Sequence, residues 1–386
     1  MPVHLFLSPL LPLLLLAGTG VGQDTYDASP HDNLRDCGRR DAAEAFCRVP
    51  LGPMAEETRA RLGREETAWW VEGQTLTVAA RRSGPRARLC CTIHAPMQRL
   101  GAGDLWAISI RIPEIRRAIL DIAVAPGRSS GVYRGPEAPA EPPLPPELTG
   151  RLIHTSIASK HLDAVRRVTV YLPPGFESGR RYPVVYAADG AFRADDARLI
   201  ERLILDREIQ PIVMVAPWPG IDVRNVQLRA QEYLVGFFAG AKAFRRHQDF
   251  FLREVMPLAE REYGASSLRE DRMLTGYSNG AAWAVATGLR HPRLFGHVAA
   301  FSYGWEPADA GADRRGRPRL YLSAGKLEPL FLRHTTRLAE LARHAEEEVV
   351  LDTPVTGHTN SHWLPALAAA LKRAFPATKE RGPDGL

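Results

Sequence analysis

Two G-x-S-x-G pentapeptides stand in the chain, Gly127-Arg-Ser-Ser-Gly131 and Gly276-Tyr-Ser-Asn-Gly280. The pattern has chemical meaning only where a strand turns sharply into a helix, because that turn lifts the serine oxygen above the sheet. Ser129 is followed by prolines and no helix-forming run, so it reads as a coincidence. Ser278 follows a strand-like run, Arg272–Thr275, and precedes a good helix former, Ala281–Arg290. Ser278 is the candidate nucleophile. A serine hydroxyl is a poor nucleophile at neutral pH and needs a base that an acid orients. After such an elbow the acid and then the histidine follow in chain order. His334 and His344 fall in an amphipathic helix, whereas His358 follows the last strand-like run and His362 enters the last helix. The loop position favours His358 over His362. For the acid, Glu328 closes the loop Ala324-Gly-Lys-Leu-Glu328 after the run Arg319–Ser323. Its rivals are Asp352, inside the final strand, and Asp309 and Asp313, in a polar insertion.

Charge that develops on an ester oxygen needs two N–H donors. One is expected from Asn279, directly after the nucleophile, and the other from Gly190 or Ala191, in the turn after Val184–Ala187. Around that edge, Arg193, Arg224 and Arg229 together with Trp218 and Trp305 are the expected substrate-binding residues. Guanidinium groups and flat rings suit an anionic aromatic ligand. The competing reading pairs Arg229 with Glu232 as a structural ion pair.

The elements that must position these residues change character along the chain. From Thr67 to Val124, short runs rich in β-branched and aromatic residues (Ala68–Val71, Leu76–Ala80, Arg88–His94, Leu105–Ile110, Ile119–Val124) predict a small antiparallel sandwich. Six prolines between Pro136 and Pro146 predict a semi-rigid linker. After Gly150, seven strand-like runs alternate with helical stretches at Ala194–Glu208, Phe244–Tyr263, Ala281–Arg290, Phe331–Glu347 and Trp363–Phe375. That alternation predicts an α/β fold, a mostly parallel sheet with helices on both faces. The expected division is a leader (1–22), a β-sandwich (23–125), a linker (126–150) and a catalytic unit (151–386).

A chain of 386 residues with 45% hydrophobic and 24% charged residues excludes a disordered or coiled-coil protein. The net charge of +6 comes from 50 basic residues interspersed with 44 acidic ones, without a basic block, so no nucleic-acid partner is expected. The first 22 residues hold no Asp, Glu, Lys or Arg and include a leucine-rich run ending in small residues. They read as a secretory signal lacking its usual basic start, and as too short for a stable membrane span. A periplasmic or secreted location follows as an expectation. The four cysteines, Cys37, Cys47, Cys90 and Cys91, suggest disulfides whose pairing the sequence leaves open. Cys90 and Cys91, adjacent on a strand, are expected to face opposite ways. No metal-site spacing is present, and no cofactor is expected.

These motifs taken together resemble the esterase branch of the α/β-hydrolases that includes the enterochelin esterases. The resemblance is carried by Arg167-Val-Thr-Val-Tyr-Leu-Pro-Pro-Gly175, Tyr186-Ala-Ala-Asp-Gly190, Arg229-Ala-Gln-Glu-Tyr233, Gly276–Gly280, Gly325–Glu328, and Gly357-His358 with Trp363. It departs where the family has G-G-H followed by Asp: here Thr356-Gly-His358 is followed by Thr359. Trp69-Trp70, Asp104-Leu-Trp106 and Ile112-Pro113 are similar to the immunoglobulin-like domain that precedes the catalytic domain in that group. The resemblance implies a cofactor-free serine esterase. Its first expected substrate is a ferric siderophore ester, followed by a feruloyl or acetyl sugar ester, with acyl transfer as a further option. A binding protein with a vestigial hydrolase domain is the non-enzymatic alternative.

Overall fold

The computed structural model describes residues 34–38, 46–52, 55–127, 130–220, 228–237, 241–305 and 316–377. The expected leader, Ser129, Arg224, Asp309 and Asp313 lie outside these residues.

The N-terminal unit is two antiparallel sheets. In one, Cys47–Val49, Leu105–Arg111, Thr75–Arg81 and Thr67–Glu72 lie in that order, with Gln98–Arg99 also on Leu105–Arg111. The other runs Ala95–Pro96, Arg88–Cys91, Ile119–Ala125, Ser130–Arg134. Alternate residues of each strand turn inward, so Leu76, Val78 and Ile108 of one sheet meet Leu89, Leu120 and Ile122 of the other in one apolar cluster. Two details differ from expectation. Ser130–Arg134 extends the second sheet within the stretch read as linker, since its backbone is paired with Ile119–Ala123. Cys90 and Cys91 do not face opposite ways, because they are disulfide-bonded to each other; Cys37 and Cys47 form the other disulfide.

The C-terminal unit is built on eight strands: β1 (Arg151–Ser159), β2 (Ala164–Leu172), β3 (Val184–Ala187), β4 (Val213–Pro217), β5 (Arg272–Tyr277), β6 (His297–Phe301), β7 (Arg319–Ser323) and β8 (Val349–Asp352). Their order is β1-β2-β4-β3-β5-β6-β7-β8. The sheet is mixed: β2 is antiparallel to β1 and to β4, and the remaining pairs are parallel. Strands β3, β4 and β5 are apolar and buried on both faces, as crossover helices require. Val184 and Tyr186 face a cluster with Trp283 and Leu338, while Val185 and Ala187 face Leu199 and Leu371 on the other side.

The stretch expected as one helix over Phe244–Tyr263 is instead Ala241–Phe250, a π-helical turn at Phe251–Val255, and Met256–Glu262. Pro257 has no N–H to continue the i→i−4 ladder, and the widened turn just before it absorbs that break. The sequence also gave no warning of β1 or of the short helix Leu228–Tyr233. The proline-rich stretch is not a free tether. Leu144 and Leu148 pack on the C-terminal unit, and the buried Glu201 carboxylate accepts the N–H groups of Thr149 (2.6 Å) and Gly150 (2.7 Å). No helix among the described residues is long and apolar enough to cross a membrane.

Candidate active site

Strands β5, β6, β7 and β8 are consecutive neighbours and parallel, so the residues that follow them share one edge of the sheet. Ser278 follows β5, Ser302 follows β6, Glu328 closes the loop after β7, and His358 lies in the loop after β8.

Ser278 has φ 56° and ψ −122°, an unfavourable backbone for a residue with a side chain. The surrounding chain enforces it. The Ser278 N–H is held by the Phe301 carbonyl at 3.0 Å, and the helix Asn279–Arg290 begins at once. A Cβ on Gly276 would fall 2.3 Å from the Gly280 carbonyl carbon, and one on Gly280 would fall 2.9 Å from the Ala188 Cβ. Both glycines are therefore needed for the turn to close. Asn279 opens the helix, where the first N–H groups have no intrahelical acceptor.

Glu328 is 6% exposed and its two oxygens are divided between tasks. Oε2 lies 2.8 Å from His358 Nδ1. Oε1 accepts the Gly325 N–H at 2.6 Å and the Ser302 hydroxyl at 2.8 Å. Trp363 in turn donates its indole N–H to Ser302 Oγ at 2.8 Å. The carboxylate is thereby fixed in the plane that meets the imidazole. His358 is further held between rings, stacked on Phe331 with centroids 4.3 Å apart and edge-on to Trp363 at 4.8 Å. The other face of this arrangement reaches the elbow, because Trp363 stacks on Tyr277 at 4.9 Å. Trp363 thus joins the residue before Ser278 to His358.

His362 stands behind the acid. It is buried, 2.8 Å from Ser323 Oγ through Nε2 and 3.6 Å from Glu328 Oε1 through Nδ1. Burial lowers its pKa, against the pull of Glu328, and keeps it neutral. Asp352 is exposed at the end of β8, and Glu328 holds the contact to His358.

The turn after β3 is pinned from several sides. Asp189 has a left-handed backbone (φ 57°), and its N–H is donated to the Tyr233 hydroxyl at 3.0 Å. The Gly190 carbonyl accepts the Thr169 hydroxyl at 2.8 Å, which fixes the peptide plane leading to Ala191. Gly190 must be glycine, since a Cβ would fall 2.1 Å from the Ala216 carbonyl oxygen.

Two members of the expected arginine rim, Arg193 and Arg229, are engaged in contacts within the protein. Arg193 is 1% exposed and turned inward, bonded to the Ala188 carbonyl (2.6 Å) and Asp196 (2.8 Å) beneath the Tyr277 ring. It cannot touch a substrate. Burial works against its charge, but Asp196, Tyr277 and Asp189 more than offset this and raise its pKa. Arg229 grips Asp189 rather than Glu232, and Glu232 instead binds Arg166 (2.5 Å) and the Gly220 N–H (2.7 Å). The Trp218 indole N–H is donated to Thr169 Oγ1 at 2.9 Å, so this ring braces the turn after β3. Trp305 is half-buried, with its N–H on the Val235 carbonyl at 3.1 Å and its ring edge-on to Phe237. Sequence reasoning missed Ser302, Thr169, Tyr233 and Phe331. For Ser302 a signal existed: it directly follows the strand between those that lead to Ser278 and Glu328.

The chain is 31% identical over 143 residues to an uncharacterised Bacillus subtilis protein, YjcH; the match spans 36% of this chain and 56% of that protein. Its fold is similar to that of the ferric enterobactin esterase of Salmonella typhimurium (TM-score 0.64, 18% identity, 81% of this chain and 97% of that one). It is similar also to the enterobactin esterase of Shigella flexneri (TM-score 0.62, 18% identity, 84% and 99%). Residues 159–374, more than half of the chain, match the family described as "Putative esterase". With its α/β-hydrolase fold and this match, the chain belongs to that family of hydrolases acting on ester bonds.

Proposed function

We propose that the protein is a serine esterase working through an acyl-enzyme, with Ser278 as nucleophile, His358 as base and Glu328 as orienting acid. The observation that carries this reading is the contact between His358 Nδ1 and Glu328 Oε2, on the same sheet edge as the strained serine elbow. Glu328 holds the Nδ1–H and leaves Nε2 to take the proton from Ser278 Oγ as that oxygen attacks the ester carbonyl. The oxyanion is received by the N–H groups of Asn279 and of the Gly190–Ala191 turn. His358 then returns the proton to the leaving alcohol. Water, activated by the same imidazole, releases the acid.

For the substrate, the paired state of Arg193 and Arg229 takes these two arginines out of the expected charged rim and brings the aromatic residues forward. Phe331 lies on His358, and Phe192, just after the oxyanion turn, is 79% exposed. An ester of an aromatic acid fits such a mouth. The catecholate siderophore esters come first, in keeping with the fold-level likeness to enterobactin esterases. We assign the enzyme to an exported, oxidising location, a reading supported by the charge-free start of the chain and the Cys37–Cys47 disulfide.

Labelling with a fluorophosphonate tests the nucleophile. The tag is expected on Ser278, with Ser278→Ala lowering kcat for p-nitrophenyl acetate by several orders of magnitude. Ser129→Ala should leave the rate unchanged, and a tag on Ser129 would overturn the assignment.

A further inference from the structure

The polar and apolar contacts between the two units fall on the loops that carry Glu328 and His358. Ile119 donates its N–H to the Val355 carbonyl at 3.0 Å, and Glu114 pairs with Lys326. Leu327 and Val355, though they belong to the catalytic unit, are buried in the apolar cluster of the N-terminal sandwich. Flanking the histidine in sequence are contacts from a pair of residues of the N-terminal unit, Thr92 and Asp121. They bind each other through the Thr92 N–H to the Asp121 carbonyl (3.1 Å) and the Asp121 N–H to Thr92 Oγ1 (2.8 Å). Thr92 packs closely on the histidine loop, and Asp121 is bonded to its far end. The Thr92 carbonyl oxygen lies 2.8 Å from where a Cβ on Gly357 would sit. Asp121 Oδ1 accepts the Ser361 hydroxyl at 2.7 Å, at the start of the helix Asn360–Ala374. A carboxylate there also faces the favourable end of the helix dipole. The loop is therefore packed against Thr92 one residue before His358 and hydrogen-bonded to Asp121 three residues after it.

We infer that Asp121, a residue of the N-terminal β unit, is a positioning residue for His358, acting through its side-chain bond to Ser361. Glu328 sets the tilt of the imidazole ring, and the Asp121–Ser361 bond sets where the loop holds that ring relative to Ser278. This inference rests on the serine-esterase reading above. Displacing a catalytic base by about 1 Å costs on the order of a hundredfold in rate, so the bond bears on kcat rather than on substrate affinity.

The experiment uses the full chain with three substitutions, Asp121→Ala, Asp121→Asn and Ser361→Ala, assayed on p-nitrophenyl acetate and by the rate of fluorophosphonate labelling of Ser278. Asp121→Ala and Ser361→Ala should each lower kcat about tenfold to a hundredfold with KM within about twofold. Labelling should slow by the same factor. Asp121→Asn, which keeps an oxygen to accept the Ser361 hydroxyl, should recover most of the rate. The double variant Asp121→Ala/Ser361→Ala should be no worse than the poorer single one, because the two residues share one contact. Rates within twofold of the parent, losses confined to KM, or multiplying losses in the double variant would overturn the proposal. Should Asp121→Ala fail to fold, Ser361→Ala decides alone, since it removes one hydroxyl from the first turn of a helix. Failure of the underlying reading shows separately: the parent protein would then carry no label on Ser278.

Discussion

Arg229 holds Asp189 through two parallel bonds, Nε to Oδ1 at 2.6 Å and Nη2 to Oδ2 at 2.7 Å. Burial alone would raise the Asp189 pKa, but Arg229, with Arg193 and His247 nearby, holds the carboxyl below its usual range. The fork fixes the residue that leads into Gly190, so it supports the oxyanion turn rather than a ligand. Arg229→Met should cost about 2–3 kcal/mol of stability, less than a fully buried pair because Arg229 is 28% exposed. It should also lower kcat about tenfold, less than the roughly 10²–10³ that the outright loss of an oxyanion donor costs, because the turn is loosened and not removed. Arg229→Lys keeps the charge without the fork and should fall between. Chemical denaturation and kinetics on the same samples check this, and a fully active Met variant would refute it.

Ser302 links Trp363 to Glu328, so its hydroxyl is both donor and acceptor in one line of contacts. Ser302→Ala leaves Glu328 Oε1 with the Gly325 N–H and strands the Trp363 indole. The expected loss is about tenfold in kcat, near the worth of one hydrogen bond to a charged group, with KM unchanged. Glu328→Gln should lose more, and His358→Ala most. A Ser302→Ala variant as slow as His358→Ala would show that the serine does more than steady the carboxylate.

Four histidines, three of them buried and His291 half-buried, predict acid sensitivity. Burial lowers the pKa of His247, His291, His297 and His362 below the ordinary 6.5. Between the folded and unfolded values the unfolded chain binds more protons, so stability is intact above about pH 6.5 and falls as pH drops below it. His247 is the sharpest case, since neither ring nitrogen has a hydrogen-bond partner and it lies among Tyr233, Phe250 and Trp283. Tm should fall between about pH 7 and about pH 5, and His247→Phe should make that fall shallower. An unchanged slope in the variant would assign the acid sensitivity to other groups.

Ionic strength separates the two readings of the rim. With Arg193 buried and Arg229 committed to Asp189, kcat/KM for a charged catecholate ester should change little as salt rises, as for a neutral acetyl ester. A steep fall would reveal exposed charge acting over the screening length of about 8–10 Å and would restore the arginine-lined mouth.

Much of the catalytic edge was legible because its parts are local. The elbow is a pentapeptide between a strand and a helix, and Glu328 and His358 each follow a strand in the order the chemistry needs. The rim was not legible, because whether Arg193 points outward depends on Asp196, Tyr277 and the Ala188 carbonyl meeting beneath the sheet edge. Such a meeting leaves no spacing signal. Ser302 escaped for the opposite reason: a lone serine after a strand has no motif, and its meaning comes only from Glu328, twenty-six residues on. The break at Pro257 lay open to view, yet the apolar periodicity around it concealed the widened turn.

The anchoring of the proline-rich stretch bears on how the polypeptide ages. Glu201 seizes the backbone at Thr149 and Gly150, and Leu144 and Leu148 are pressed into the same surface. A protease nick among the prolines would sever the covalent thread while leaving the stretch after it on its own unit. The N-terminal sandwich would stay docked through the bonds of Ile119 to Val355 and of Asp121 to Ser361, and through the buried Leu327 and Val355. The nicked enzyme should elute as a single species and keep turning over, with the damage visible only when the chain is denatured.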